Sequence, residues 1–138
     1  MKNKILWTFF SWHLAGSLLV VLTFLPAISY SQQEKKYIKE GNELFENKKF
    51  KEAEKSYQKA LQKNKGSYKA TFNLGDAYYK QGKYEEAAQQ FQELTHRATY
   101  GDTLSKAYHN LGNALLKSKK YEESANAYKN ALKNNPND

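Results

Sequence analysis

The sequence predicts an all-α protein, an α-solenoid of three helix–turn–helix units behind an N-terminal export segment. Three observations carry this expectation. Gly41, Gly75 and Gly112 recur at spacings of 34 and 37 residues. Behind each glycine the same residue classes return in order: an aromatic at nine (Phe50, Tyr84, Tyr121), a small residue at twelve (Ala53, Ala87, Ser124), an aromatic at sixteen (Tyr57, Phe91, Tyr128) and an apolar residue at nineteen (Ala60, Leu94, Ala131). The apolar positions follow helical spacing and no stretch is predicted as a strand. With 138 residues, 40% of them hydrophobic and 14% aromatic, the chain has room for one domain and the apolar surface to fill its core.

The first element is the export segment, residues 1–31. Met1 to Lys4 is a short basic start, and Ile5 to Leu25 follows without a charge. Pro26 breaks the helix, and cleavage before Gln32 leaves the small Ser29 and Ser31 at the positions a signal peptidase checks. The competing expectation is an uncleaved membrane anchor, because the charge-free run is about as long as a 30 Å hydrocarbon core requires. His13 falls inside this run and is no ligand candidate.

Residues 32–138 form the repeat domain, with units at about 34–67, 68–104 and 105–138. Within each unit two amphipathic helices are joined by Asn47-Lys48-Lys49, Gln81-Gly82-Lys83 or Ser118-Lys119-Lys120. The small residue at twelve lets the second helix approach the first, and the aromatic four residues later fills the space beside it. A mid-helix glycine costs about 1 kcal/mol against alanine, so it belongs where a neighbouring helix needs room. The three additional residues between units two and three fall in His96 to Thr103 and read as an extra turn on the third unit's first helix. Asp102 is expected to cap that helix, and Gly101 to end the preceding one.

Chemistry is excluded by what the chain lacks. With no cysteine there are no disulfides, thiolate metal sites or cysteine nucleophiles. No phosphate loop, His-Glu-x-x-His pair or nucleophile turn is present. Glu85-Glu86 and Glu122-Glu123 resemble catalytic carboxylate pairs, but each opens a second helix, where the helix dipole favours acids. His96 beside Arg97 reads as a solvated helix end. No enzyme activity, cofactor or metal is expected. The formal charge of +8 favours acidic partners. Tyrosines among lysines could suit single-stranded nucleic acid. However, these tyrosines fill packing positions, so no nucleic acid is expected.

Over Tyr37 to Pro136 the chain resembles the tetratricopeptide repeat, most closely in Gly75, Tyr78, Tyr84, Ala87 and Phe91. It departs from the pattern at Glu40 and Ser124, and only the third unit ends in the usual proline, Pro136. The resemblance implies a right-handed superhelix whose concave face, lined by the first helix of each unit, holds an extended peptide. With the shared glycine counted as eighth, the second position is Lys35, Lys69 and Lys106, and the fifth is Ile38, Phe72 and His109. The ninth is Asn42, Asp76 and Asn113; the twelfth is Phe45, Tyr79 and Leu116; the thirteenth is Glu46, Lys80 and Lys117. Each lysine alone reads as a solvated helix residue, but three at one position suit an acidic segment or a C-terminal carboxylate. Against the carboxylate clamp of chaperone-tail binders, Asn42, Asn73 and Lys106 match. Ile38 and Asn110 stand where lysine and arginine are needed, so chaperone-tail binding is not expected.

The export signal, the Gly41 to Phe45 and Tyr108 to Gly112 stretches and the closing Asn-Pro-Asn-Asp are similar to the small exported tetratricopeptide proteins of Bacteroides aerotolerance (Bat) operons. That resemblance implies a periplasmic or inner-membrane-anchored adaptor grouped with von Willebrand A-domain membrane proteins and a MoxR-type ATPase. The expected partners are envelope membrane proteins offering acidic or C-terminal segments, with membrane contact only if the signal is uncleaved. The alternative is a self-associating module. No capping helix follows Pro136, so the apolar face around Leu111, Leu115, Tyr128 and Leu132 is expected to be exposed.

The exported protein is expected to begin at or near Gln32, which N-terminal sequencing and intact-mass measurement check. Full-length chain recovered in the membrane fraction would establish the anchor instead.

Overall fold

The computed structural model describes residues 31–97 and 101–136. Of the expected export segment only Ser31 is among them; its charge-free run lies outside the described residues. Helix α1 covers residues 31–46, followed by α2 (Phe50–Lys63), α3 (Tyr68–Lys80), α4 (Tyr84–Arg97), α5 (Asp102–Lys117) and α6 (Tyr121–Asn134). The described residues contain no strand. Consecutive helices from α2 to α6 pack against one another along the chain.

Within each pair the decisive contact is an aromatic ring laid on a glycine. A Cβ at Gly41 would stand 2.4 Å from the Tyr57 ring, at Gly75 2.8 Å from Phe91, and at Gly112 2.6 Å from Tyr128. No side chain fits in those gaps. The small residue at twelve completes the approach: Ala53 and Ala87 are fully buried. Ser124 takes the same place without loss, because its hydroxyl donates to the Gly112 carbonyl at 2.9 Å. Ser105 is buried too, donating to the Ala131 carbonyl at 3.0 Å.

All three first helices end alike. The amides of Lys49, Lys83 and Lys120 reach five residues back to Leu44, Tyr78 and Leu115, while those of Lys48, Gly82 and Lys119 reach three back to Phe45, Tyr79 and Leu116. This is a Schellman closure, which needs positive φ at its turning residue. Gly82 supplies it at 77°, but Lys48 and Lys119 adopt 59° and 62° as L-residues. A further tie joins units one and two. Glu54 accepts from Lys83 Nζ at 2.8 Å and Gln81 Nε2 at 2.9 Å. Burial alone would raise the Glu54 carboxyl, but these hydrogen bonds, with the charges of Lys83 and Lys51, hold it below its usual value.

The inserted residues lengthen the third unit's first helix as expected: α5 has 16 residues where α3 has 13. Its cap differs from expectation. Gly101, at φ 85°, is itself the N-cap, whereas Asp102 lies inside the first turn. The Asp102 carboxylate therefore meets Lys106 at 2.5 Å, one turn on, instead of the helix amides.

The array end also differs. Leu111 and Leu115 are buried, at 8% and 7% exposure, and Tyr128 is half-buried over Gly112. The two leucines belong to the face of α5 that α4 and α6 cover from within the described array. Of the four residues expected at an open end, only Leu132 is exposed, at 53%.

Gly75→Ala is expected to destabilise the protein by about 1–3 kcal/mol, because the methyl overlaps the Phe91 ring. Urea unfolding followed by circular dichroism reads the loss, and adding Phe91→Leu should restore part of it. Unchanged stability in the single variant would show that the ring does not hold that position.

Candidate peptide-binding groove

Cavities open along α1, α3 and α5, with Tyr57 and Phe91 reaching in from the second helices. Near the start of these helices, a space of about 500 Å³ is bordered by Glu34, Lys35, Ile38, Lys39, Asn42 and Lys69. Lys69 is shared with the next space, about 210 Å³, where Tyr68 and Phe72 meet Asn73, Lys106 and the first turn of α5. The second-position lysines thus stand along one edge, all three exposed. Lys106 is the most tied, through its ion pair with Asp102.

The fifth-position residues diverge. Ile38 is 6% exposed and packs with Ala60 and Ala70, so little of it faces the cavity it borders. Phe72 is half-buried, edge-on to Phe91 at 5.6 Å. His109 is exposed, edge-on to Tyr128 at 5.7 Å.

Further along the helices lie two adjoining cavities with Asp76 in both. The first, about 160 Å³, is lined by Asn42, Phe45, Glu46, Tyr57, Asn73 and Asp76. The second, about 190 Å³, adds Tyr79, Lys80, Phe91, Asn110 and Asn113 to Asp76. Amides stitch this floor across the units. Asn42 Oδ1 accepts from the Tyr57 hydroxyl at 2.9 Å and from Asn73 Nδ2 at 2.8 Å. Asn110 Nδ2 donates to Asp76 Oδ1 at 3.2 Å, and the Tyr128 hydroxyl donates to Asn113 Oδ1 at 2.8 Å. Asn42 and Asn73, two of the clamp-type residues, are therefore bonded to one another. At the twelfth and thirteenth positions, Leu116 is 46% exposed and Lys117 exposed, and neither borders these spaces.

Burial shapes the titrations here. Asp76 is pushed up to about 6 by desolvation, with the nearby Lys80 opposing. Tyr57 is pushed up to about 12, chiefly by burial, with the charges of Asp76 and Glu46 adding and a hydrogen bond with Asn73 opposing. Burial also raises Tyr68. Its hydroxyl donates to the Thr103 carbonyl at 2.8 Å, tying α3 to the start of α5. Tyr57, Phe91 and Tyr68 are groove residues that sequence reasoning assigned only to packing or passed over. The available signal for Tyr57 and Phe91 was their place opposite the glycine column.

The tetratricopeptide-repeat family matches this chain over residues 38–102 and again over 105–138, and the chain belongs to that family. No curated protein matches it. Among solved structures it is similar to the first TPR of Spaghetti (RPAP3) bound to HSP90 peptide SRMEEVD, at 25% identity and TM-score 0.71, covering 78% of this chain and 83% of that one. The Sgt2 TPR domain from Aspergillus fumigatus is similar at 26% identity and TM-score 0.69, covering 76% of this chain and 68% of that one. The Arabidopsis OM64 TPR domain, at 21% identity and TM-score 0.71 over 79% and 88% of the two chains, shares the fold.

Because the folded protein holds the Asp76 proton more tightly than the unfolded chain, folding is favoured below the usual carboxylate range and loses that advantage as pH rises through about 6. Asp76→Asn is expected to flatten the pH dependence of unfolding between 4 and 6 and to stabilise the protein at pH 7 by on the order of 2 kcal/mol. Urea midpoints across that range measure it. Parallel pH profiles for parent and variant would show that Asp76 titrates normally.

Proposed function

We propose that this tetratricopeptide protein is an exported, non-catalytic adaptor. Its concave groove holds an extended acidic segment, or a C-terminal carboxylate, of a protein partner in the bacterial envelope. The observation that carries the groove reading is the row of Lys35, Lys69 and Lys106 along one edge of two adjoining cavities, the second of them lined by Phe72 and Tyr68. Lysines deliver charge to the ligand, and the apolar floor takes the side chains between its acids. The peptide held by the similar Spaghetti domain is itself acidic. Chaperone tails are not proposed as ligands here, because Ile38 and Asn110 replace two cations of the clamp and Ile38 is buried. Export and a Bat-type complex rest on the apolar N-terminal run and on the sequence resemblance.

A second reading, self-association through the third unit, draws on the exposed Leu116, Tyr121 and Leu132. Sedimentation at high concentration separates the two: the adaptor stays monomeric until a peptide or partner is present.

Joint reversal of Lys69→Glu and Lys106→Glu is expected to weaken binding of a fluorescent acidic peptide with a free carboxylate by about tenfold or more at low salt, with helicity kept. Equal binding by parent and variant, read by anisotropy, would remove the lysine row from the site.

A further inference from the structure

At the ninth position, units one and three carry an asparagine that accepts from a tyrosine of its own second helix: Tyr57 to Asn42, and Tyr128 to Asn113. In unit two both partners change together. Phe91 stands in the tyrosine's place and has no hydroxyl, and Asp76 stands in the asparagine's. The carboxylate keeps the hydrogen bond from Asn110 to Oδ1, and no donor among the described residues bonds its second oxygen. The second oxygen is not sealed off, so a half-buried carboxylate with one neutral donor keeps it open to a partner arriving from outside.

The cavity of about 160 Å³ that Asp76 shares with Asn42, Phe45, Glu46, Tyr57 and Asn73 contains two carboxylates, two aromatic rings and no cation. Lys80, the cation nearest in sequence, borders the cavity on the other side of Asp76. We propose that this cavity takes an arginine side chain of the bound peptide, its guanidinium paired with Asp76 and its stem lying against Phe45 and Tyr57. Arginine fits better than lysine, because its planar fork can take a carboxylate through two donors and stack on a ring. The proposal rests on the groove reading and gives the ligand a second anchor. Lys69 and Asp76 are two turns apart on α3, about 10 Å, which three residues of extended peptide span. The ligand class is a segment in which an arginine lies about three residues from an acid.

The test uses the full chain and three labelled hexapeptides, read by fluorescence anisotropy. One has an acidic residue and an arginine three positions later, one has citrulline for the arginine, and one has the amide in place of the acid. Citrulline keeps the shape of arginine and removes its charge. It is expected to weaken binding to the parent about tenfold or more, and to the Asp76→Asn variant no more than about twofold. If citrulline and arginine peptides bind the parent equally while the amide peptide binds less well, the arginine site falls and the lysine row stands. A citrulline penalty that persists in Asp76→Asn places the arginine elsewhere and overturns the assignment. Failure of all three peptides to bind the parent at millimolar concentration overturns both readings.

Discussion

Three aromatic rings lying on three glycines set the spacing within each helix pair of this protein. A ring over a bare Cα brings the second helix of a unit closer to the first than any side chain at that point would permit. The neighbouring small residues, Ala53, Ala87 and Ser124, are buried because the ring contact has already set the spacing. Two of these rings, Tyr57 and Phe91, also line the cavities along the first helices. Tyr57 and Tyr128 extend past their glycines, and their hydroxyls end on the asparagines next in sequence to those glycines. One side chain thus packs the pair with its face and fixes an asparagine of the first helix with its tip. Folding and site geometry are therefore not separable at these positions.

That dependence explains what was legible in the chain. The repeat, the paired helices, the joining turns and the lengthened α5 all follow from residues whose spacing is local, and the structure contains them. What sequence spacing did not reveal were choices between partners. Asp102 was an obvious cap by residue type, yet Gly101 already occupies the cap and Lys106 one turn on draws the carboxylate away. The left-handed turns at Lys48 and Lys119 carry no sign in the residues themselves; only Gly82, at the matching place, marks them. The expected open face at Leu111 and Leu115 came from the lack of a capping helix after Pro136, whereas α4 and α6 already cover those leucines.

The groove was legible to a different depth. Position within the repeat identifies a helix face, so the lysine edge and the amide floor could be assigned by column. The hydrogen bonds among them could not, because Asn42 meets Asn73 across 31 residues and Tyr57 across 15. Those bonds change what the asparagines offer a ligand: Asn42 Oδ1 already receives two donors. The column of ninth-position residues looked uniform as short polar side chains. It becomes non-uniform only when the residue opposite is considered, since Phe91 leaves Asp76 without the hydroxyl that its counterparts receive.

Electrostatics divides the groove along its first helices. Lys69 is the second residue of α3, where the helix dipole is positive and a cation is disfavoured by a few tenths of a kcal/mol. Lys80 closes the same helix, where a cation is favoured. A lysine set against the dipole makes little sense as a local stabiliser, but both fields add for an anion arriving from outside. At the other end, Asp76 lies toward the negative terminus of α3 in a half-buried setting that already resists ionisation. Burial and the dipole there work against the carboxylate's own charge, and Lys80 at the end of the same helix offsets part of that cost. The two ends of α3 therefore present opposite fields to the face they share.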